Sequence, residues 1–228
     1  MGLKLENVIP WGRSFAEYVK MFNLTTDELK LNILDCAGGP ASFNAEMTKQ
    51  GYNVISCDPV YYFSANEIRQ RIQDTYSAVV NGVKANLDCY VWQEINSPEH
   101  LGEVRMTAME KFLTDFNSGR KEGRYLPHGL PVLPFNNYQF DLALCSHFLF
   151  TYTEQLLEGF HLAAIREMCR VSKEVRIFPL LNISGEESPL LQLVIDKLAM
   201  QGYTLEVKQV LYEFQKGGNQ MLKVSPPK

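Results

Sequence analysis

Short apolar runs alternate with amphipathic stretches along most of the chain, and that alternation sets an element order. Residues 31–36 (LNILDC) are mostly apolar and run through Asp35 into a glycine-rich turn, which predicts a buried strand feeding a loop. Ser42 is placed to cap a helix in which Phe43 and Met47, four apart, share one face, and Gly51 supplies a left-handed stop. A second apolar run at residues 53–57 (NVISC) closes with Asp58 and Pro59. Strand, loop, helix and strand in that order make a βαβ unit, so the two strands are expected to pair in parallel.

The alternation resumes at residues 140–145 (FDLALC), another strand, followed by helical spacing at Leu157, Phe160, Ala164 and Met168. Residues 175–178 (VRIF) read as the next strand, closed by Pro179. Ser188 and Pro189 make a cap and first-turn pair for a helix presenting Leu191, Val194 and Leu198, stopped at Gly202. Repeated βα pairs predict an open sheet with helices on both faces and a ligand beyond the carboxyl ends of the strands. The ending differs. Residues 204–214 and 220–224 alternate apolar with polar around a Lys216-Gly217-Gly218-Asn219 turn, an antiparallel hairpin, and the break between Val207 and Val210 suggests a bulge near Lys208 and Gln209.

Two segments lie outside the repeat. Residues 1–30 contain a helix through Phe15, Tyr18, Val19 and Phe22. The stretch 64–123 is longer than one crossover requires, and Ile68, Ile72 and Tyr76 at helical spacing make it a helical insertion, either a decoration that covers the sheet or a lid over the substrate.

Length and composition narrow the class. At 228 residues, 46% apolar and 21% charged, the chain fits one domain, 1–228, with a single core. No apolar run approaches the ~20 residues that cross a bilayer, and residues 1–10 lack the continuous apolar stretch of a secretory leader, so a cytoplasmic protein is expected. Five scattered cysteines without a CxxC pair fit a reducing compartment and argue against structural zinc, so no metal is expected. Cys36, Cys57 and Cys145 fall near the ends of neighbouring strands, where buried apolar thiols are the ordinary reading. A net charge of -4 offers no general attraction for a phosphate backbone, so no nucleic-acid partner is expected.

The chemistry concentrates after the first two strands. In Asp35-Cys36-Ala37-Gly38-Gly39-Pro40-Ala41 small residues let the backbone approach a ligand, and the next helix aims its N–H groups at polar ligand atoms. Asp58, about twenty residues on, is placed to accept hydrogen bonds from both hydroxyls of a ribose. Loop and acid together describe a nucleoside pocket. A nicotinamide fingerprint would need glycines where Ala37 and Ser42 stand, which makes an oxidoreductase the weaker alternative.

ILDCAGGPASF followed by VISCDP resembles motif I and the acid after strand two of the class I S-adenosylmethionine-dependent methyltransferases, and the resemblance extends through LPF at 133–135, FDLALCSHFLF at 140–150 and the terminal hairpin. It implies a Rossmann-like three-layer α/β sandwich. Its mostly parallel seven-stranded sheet would run 3-2-1-4-5-7-6, with strand seven antiparallel. It further implies an S-adenosylmethionine site formed by Asp35, Ala37, Gly38, Gly39, Asp58 and Pro59, with Gly129, Leu130 and Ser146 beside it. Arg13, in the Trp11-Gly12-Arg13-Ser14 segment, is a candidate partner for the cofactor's carboxylate. Two features depart from the family pattern. Ala37 and Ala41 replace glycines, which is tolerated where φ is negative, and the acid often found before LPF is absent, leaving His128, Gly129 and Leu130. His147, after strand four, is the candidate general base or, equally open, a hydrogen-bonded wall. Tyr61, Tyr62, Phe63 and Trp92 are candidate walls for a small-molecule methyl acceptor. A non-catalytic cofactor-binding protein is the alternative.

Overall fold

The computed structural model describes residues 9–227. Expectations on residues 1–8, including the leader reading and the start of the 1–30 segment, lie outside them. Seven strands form one sheet: β1 (Ile33–Cys36), β2 (Val54–Cys57), β3 (Tyr125–Leu126), β4 (Phe140–Ser146), β5 (Ser172–Phe178), β6 (Thr204–Gln209) and β7 (Gln220–Ser225). The order is β3-β2-β1-β4-β5-β7-β6, parallel except for β7, which runs antiparallel to both β5 and β6. This is the strand order that the methyltransferase resemblance implies.

Among the described residues six α-helices cover the sheet: α1 (Phe15–Met21), α2 (Phe43–Lys49), α3 (Ala65–Lys84), α4 (Pro98–Lys121), α5 (Glu158–Val171) and α6 (Leu191–Ala199). Alternation along the central strands separates two faces. Leu34 and Cys36 of β1 pack with Ala143, Cys145, Ile165, Met168, Val194 and Leu198 on the α5/α6 side. Ile33, Val54, Leu142 and Leu144 pack with Tyr18, Phe22, Phe43 and Met47 on the α1/α2 side. Cys36 is in register with both Cys57 and Cys145, and burial pushes all three thiols well up, which suits apolar core thiols. Among the described residues no helix is long and apolar enough to cross a membrane.

Stretch 64–123 is the crossover from β2 to β3, built as the long pair α3 and α4. Its buried face, Ile68 and Ile72 against Met109, Phe112 and Phe116, also receives Tyr61 and Tyr125. Ser64 and Glu67 form a capping box at the start of α3, and Ser14 and Glu17 form another at α1.

Four local expectations are corrected. No bulge occurs near Lys208 and Gln209, since the register runs unbroken to Gln209↔Gln220; the pattern breaks because the chain leaves the sheet there, burying Val210 and Tyr212 on the α1/α2 side. Helix α6 begins at Leu191, after the Ser188-Pro189 pair, so the Ser188 hydroxyl accepts the Leu190 N–H at 3.4 Å on the turn leading into the helix rather than within it, and also bonds the Thr153 hydroxyl. Ser42 makes no side-chain cap on α2; its hydroxyl bonds Glu46 Oε1 at 2.6 Å. Leu157 stands 76% exposed just before α5, whose buried stripe is carried instead by His161, Ile165 and Met168.

Candidate functional site

The carboxyl ends of β1, β2 and β4 open into a cleft of about 810 Å³. Its floor is the loop between β1 and α2, and that loop is tied down from several sides. The Ala37 N–H donates to the Cys57 carbonyl at 2.8 Å, and the Gly39 N–H donates to Asp58 Oδ2 at 3.0 Å. The Tyr61 hydroxyl donates to the Gly39 carbonyl at 2.8 Å. Asp58 Oδ1 also takes the Val60 N–H at 2.8 Å, which starts a 3-10 turn at Pro59–Tyr62. Burial pushes the Asp58 carboxyl up to about 6, against the pull of its two backbone N–H partners.

Segment 9–13 closes the cleft from above. Gly12 sits so tightly on the loop that a Cβ there would lie 2.1 Å from the Pro40 carbonyl oxygen, and Ser42 donates its N–H to the Arg13 carbonyl at 3.0 Å. Arg13 is half-buried: its guanidinium bonds the Trp11 carbonyl through one terminal nitrogen, and its buried Nε has no partner. Burial and the neighbouring Arg105 hold Arg13 down at about 10, and it makes no ion pair among the described residues. The third wall is α3, which supplies Arg71, Asp74 and Thr75, with the Arg71 guanidinium 3.8 Å above the Phe63 ring.

No protein-family model matches the chain. An uncharacterized protein of Methanocaldococcus jannaschii, MJ0045, is 36% identical over 223 residues, spanning 96% of this chain and 97% of the relative. The chain belongs to that protein's family. Among solved structures, a Pyrococcus horikoshii protein, PH0226, aligns with 94% of this chain and 91% of its own at TM-score 0.48 and 12% identity. A putative S-adenosylmethionine-dependent methyltransferase of Methanococcus maripaludis aligns with 94% of this chain and 84% of its own at TM-score 0.46 and 11% identity. Magnesium protoporphyrin IX methyltransferase of Synechocystis, solved with S-adenosylmethionine bound, aligns with 88% of this chain and 72% of its own at TM-score 0.43 and 13% identity. The strand order, rather than these likenesses, carries the fold assignment.

Within this family member, Arg13, Ala37, Gly38, Gly39, Asp58, Pro59, Gly129, Leu130, Ser146 and His147 all line the one cleft. Asp35 does not. It lies beneath the loop, 1% exposed, taking the Tyr18 hydroxyl at 3.1 Å and the Ser56 hydroxyl at 3.0 Å, and burial pushes it up to about 7. Its carboxylate explains Gly38 better than a ligand does, because a Cβ on Gly38 would meet Asp35 Oδ2 at 2.3 Å. Ala37 departs from the expected negative φ: it sits at +55°, the left-handed region that costs an L-residue roughly 1–2 kcal/mol, held there by its bond to Cys57.

His147 also has positive φ, +49°, with its N–H on the Phe178 carbonyl and Nδ1 2.9 Å from the Ser146 hydroxyl. Burial, then the charges of Arg13 and Arg105, push its pKa well below the ordinary value, so the ring is neutral at physiological pH and a weak base. The aromatic candidates separate. Phe63 lines the cleft, Tyr61 is core under the loop, Tyr62 is 75% exposed, and Trp92 packs with Tyr90 and Phe214 away from it. Sequence reading missed Arg71, Asp74 and Thr75, although their spacing on α3 places them on one helix face.

Proposed function

We propose that the protein binds S-adenosylmethionine in the cleft and transfers its methyl group to a small-molecule acceptor. The observation that supports this most is the pairing of Asp58 with the glycine loop. The acid at the end of β2 is held on the Gly39 N–H, so its remaining lone pairs face a cleft floored by that loop. Ribose hydroxyls are the natural donors to such a carboxylate.

The residues present suit the cofactor. Gly129 and Leu130 would flank its adenine through backbone groups, with Pro59 packed against Gly129. Arg13, a half-buried cation lining the cleft with an unpaired Nε, would take the amino-acid carboxylate. When bound, the sulfonium supplies an activated methyl group for in-line substitution. The chain's part is positioning: segment 9–13 covers the reactants and excludes water, while Ser146 and His147 wall the end of β4. A neutral, weakly basic His147 suits that wall role better than proton abstraction.

Calorimetric titration with S-adenosylmethionine, S-adenosylhomocysteine and NAD tests the reading. Both sulfur nucleosides should bind and NAD should not, and Asp58→Asn should weaken them about 10- to 100-fold, the worth of a charge-assisted hydrogen bond. Binding of NAD alone would overturn the assignment; cofactor binding without methyl transfer to any acceptor would leave a binding protein.

A further inference from the structure

A second, smaller pocket of about 130 Å³ adjoins the cleft and shares Ile9, Trp11, Arg13 and His147 with it. Its outer walls come from distant parts of the chain: Val79 and Val83 of α3, Arg105 of α4, Thr151 and Tyr152 after β4, and Tyr212 and Phe214 between β6 and β7. Most of this surface is apolar or aromatic. The polar remainder is unusual in one respect. Among the described residues, three buried side-chain polar atoms have no hydrogen-bond partner, namely Arg13 Nε, Arg105 Nε and the Thr151 hydroxyl, and all three residues line this pocket.

Unsatisfied buried donors each cost stability, and native proteins keep few of them. Arg13, which also lines the larger cleft, is matched there by the cofactor's carboxylate under the proposed function, and a second ligand in the small pocket would satisfy the other two. The two guanidinium atoms are N–H donors without acceptor capacity, and a hydroxyl can donate as well, so the missing partner is an acceptor. Its charge follows from the surroundings. No aspartate or glutamate is among the described lining residues. Glu17 lies behind the wall and matches Arg105, while Arg13 has no acid partner. The cluster of Arg13, Arg105 and Glu17 therefore carries one excess positive charge. An amino-acid end bound at Arg13 brings an ammonium along with its carboxylate and does not cancel that excess.

Size sets the rest. A cavity of about 150 Å³ accommodates benzene. We infer that this pocket receives the methyl acceptor and that the acceptor is a small organic carboxylate, its anionic head on Arg105 Nε and the Thr151 hydroxyl and its apolar or aromatic body against Tyr90, Phe178 and Phe214. The assignment of the pocket to the acceptor rests on the methyltransferase reading; its selectivity for a carboxylate rests on the pocket alone.

The test uses the full chain, alone and saturated with S-adenosylhomocysteine, titrated with benzoate and butyrate and with their uncharged amides. At least one carboxylate should bind at least tenfold more tightly than its amide. Thr151→Val, which keeps shape and removes the hydroxyl, should weaken that carboxylate about tenfold, the worth of one hydrogen bond to a charged group. The same variant should melt no lower than the parent without ligand, because the hydroxyl it deletes has no partner in the protein. Amides that bind as well as the acids, carboxylates that do not bind, or a Thr151→Val variant with unchanged carboxylate affinity would each overturn the inference. Carboxylate binding in a protein that does not bind S-adenosylhomocysteine would instead refute the methyltransferase reading and leave an anion pocket.

Discussion

Replacing Glu17 with glutamine should destabilise the protein by about 3–5 kcal/mol, the usual cost of leaving one member of a buried ion pair without its counter-charge. The side chains of Arg105 and Glu17 are 1% and 11% exposed, so water compensates little. One terminal nitrogen of Arg105 donates to both Glu17 oxygens at 2.5 Å, the other donates to the Tyr212 hydroxyl at 3.2 Å, and that hydroxyl donates to Glu17 Oε1 at 2.9 Å. Glutamine preserves the shape and one carbonyl acceptor but leaves Arg105 charged beside Arg13. At roughly 2–4 °C per kcal/mol for a chain of this size, the melting temperature should fall by about 6–20 °C in a calorimetric scan. Burial alone would raise the Glu17 carboxyl, but the charge and hydrogen bond of Arg105, with the Ser14 N–H and Arg13, outweigh it and hold the group at about 2. The sign follows: a folded pKa below the unfolded one gives stability that is complete above about pH 4.5 and is lost as pH falls toward 2. The stability difference between parent and variant should therefore shrink over that window. Exchanging both partners for apolar residues, Glu17→Leu with Arg105→Met, should recover most of the loss. A single variant within 1 kcal/mol of the parent, or a double variant worse than the single, would refute the claim that the pair is desolvated and coupled.

Two further tests address the cleft. Gly12→Ala puts a methyl 2.1 Å from the Pro40 carbonyl oxygen and 2.9 Å from the Ala41 nitrogen, both backbone, so segment 9–13 must lift and S-adenosylhomocysteine affinity should drop more than tenfold by calorimetry; an unchanged affinity would mean the segment does not cover the ligand. His147→Gln should retain turnover with an unaltered pH profile between about pH 6.5 and 8.5, as a wall residue requires. Because the folded pKa of His147 lies below the unfolded value of about 6.5, the parent should lose more stability than the variant as pH falls below 6.5, measured by urea unfolding; equal losses would show that the ring is not buried neutral.

The parallel sheet and the meeting of the glycine loop with Asp58 in one cleft were legible because each rests on a local pattern. Apolar runs ending in Asp35 and Asp58 locate β1 and β2, and pairing order follows from βα alternation and the resemblance. What escaped was decided by distant groups. Strand β3 is two residues long, too short for a period, and exists because Ser56 and Cys57 present a free edge to Tyr125 and Leu126. Asp35 reads as a ligand contact from spacing alone; Tyr18 and Ser56, 17 and 21 residues away, draw it under the loop. The positive φ of Ala37 likewise depends on a carbonyl at Cys57. Leu157 fits the helical period yet precedes the first residue of α5, where nothing packs over it.

Arg105 is the sharpest such case, since an arginine in an amphipathic helix is ordinarily assigned to the solvent face. Here it is among the most deeply buried side chains, and Glu17 and Tyr212 are what make that position tenable. The contacts span 88 residues from Glu17 to Arg105, 107 from Arg105 to Tyr212 and 195 from Glu17 to Tyr212, joining α1, α4 and the β6–β7 connection. Apolar packing can bring three such segments together but does not fix their angle; a desolvated triad with directional bonds restricts it. The same triad sets the back of the small pocket, whereas the larger cleft is built from loops at the ends of adjacent strands. Substitutions in α4 or the β6–β7 connection can therefore reshape the small pocket while leaving Asp58 and the glycine loop in place, so under the proposed function acceptor preference would be separable from cofactor binding.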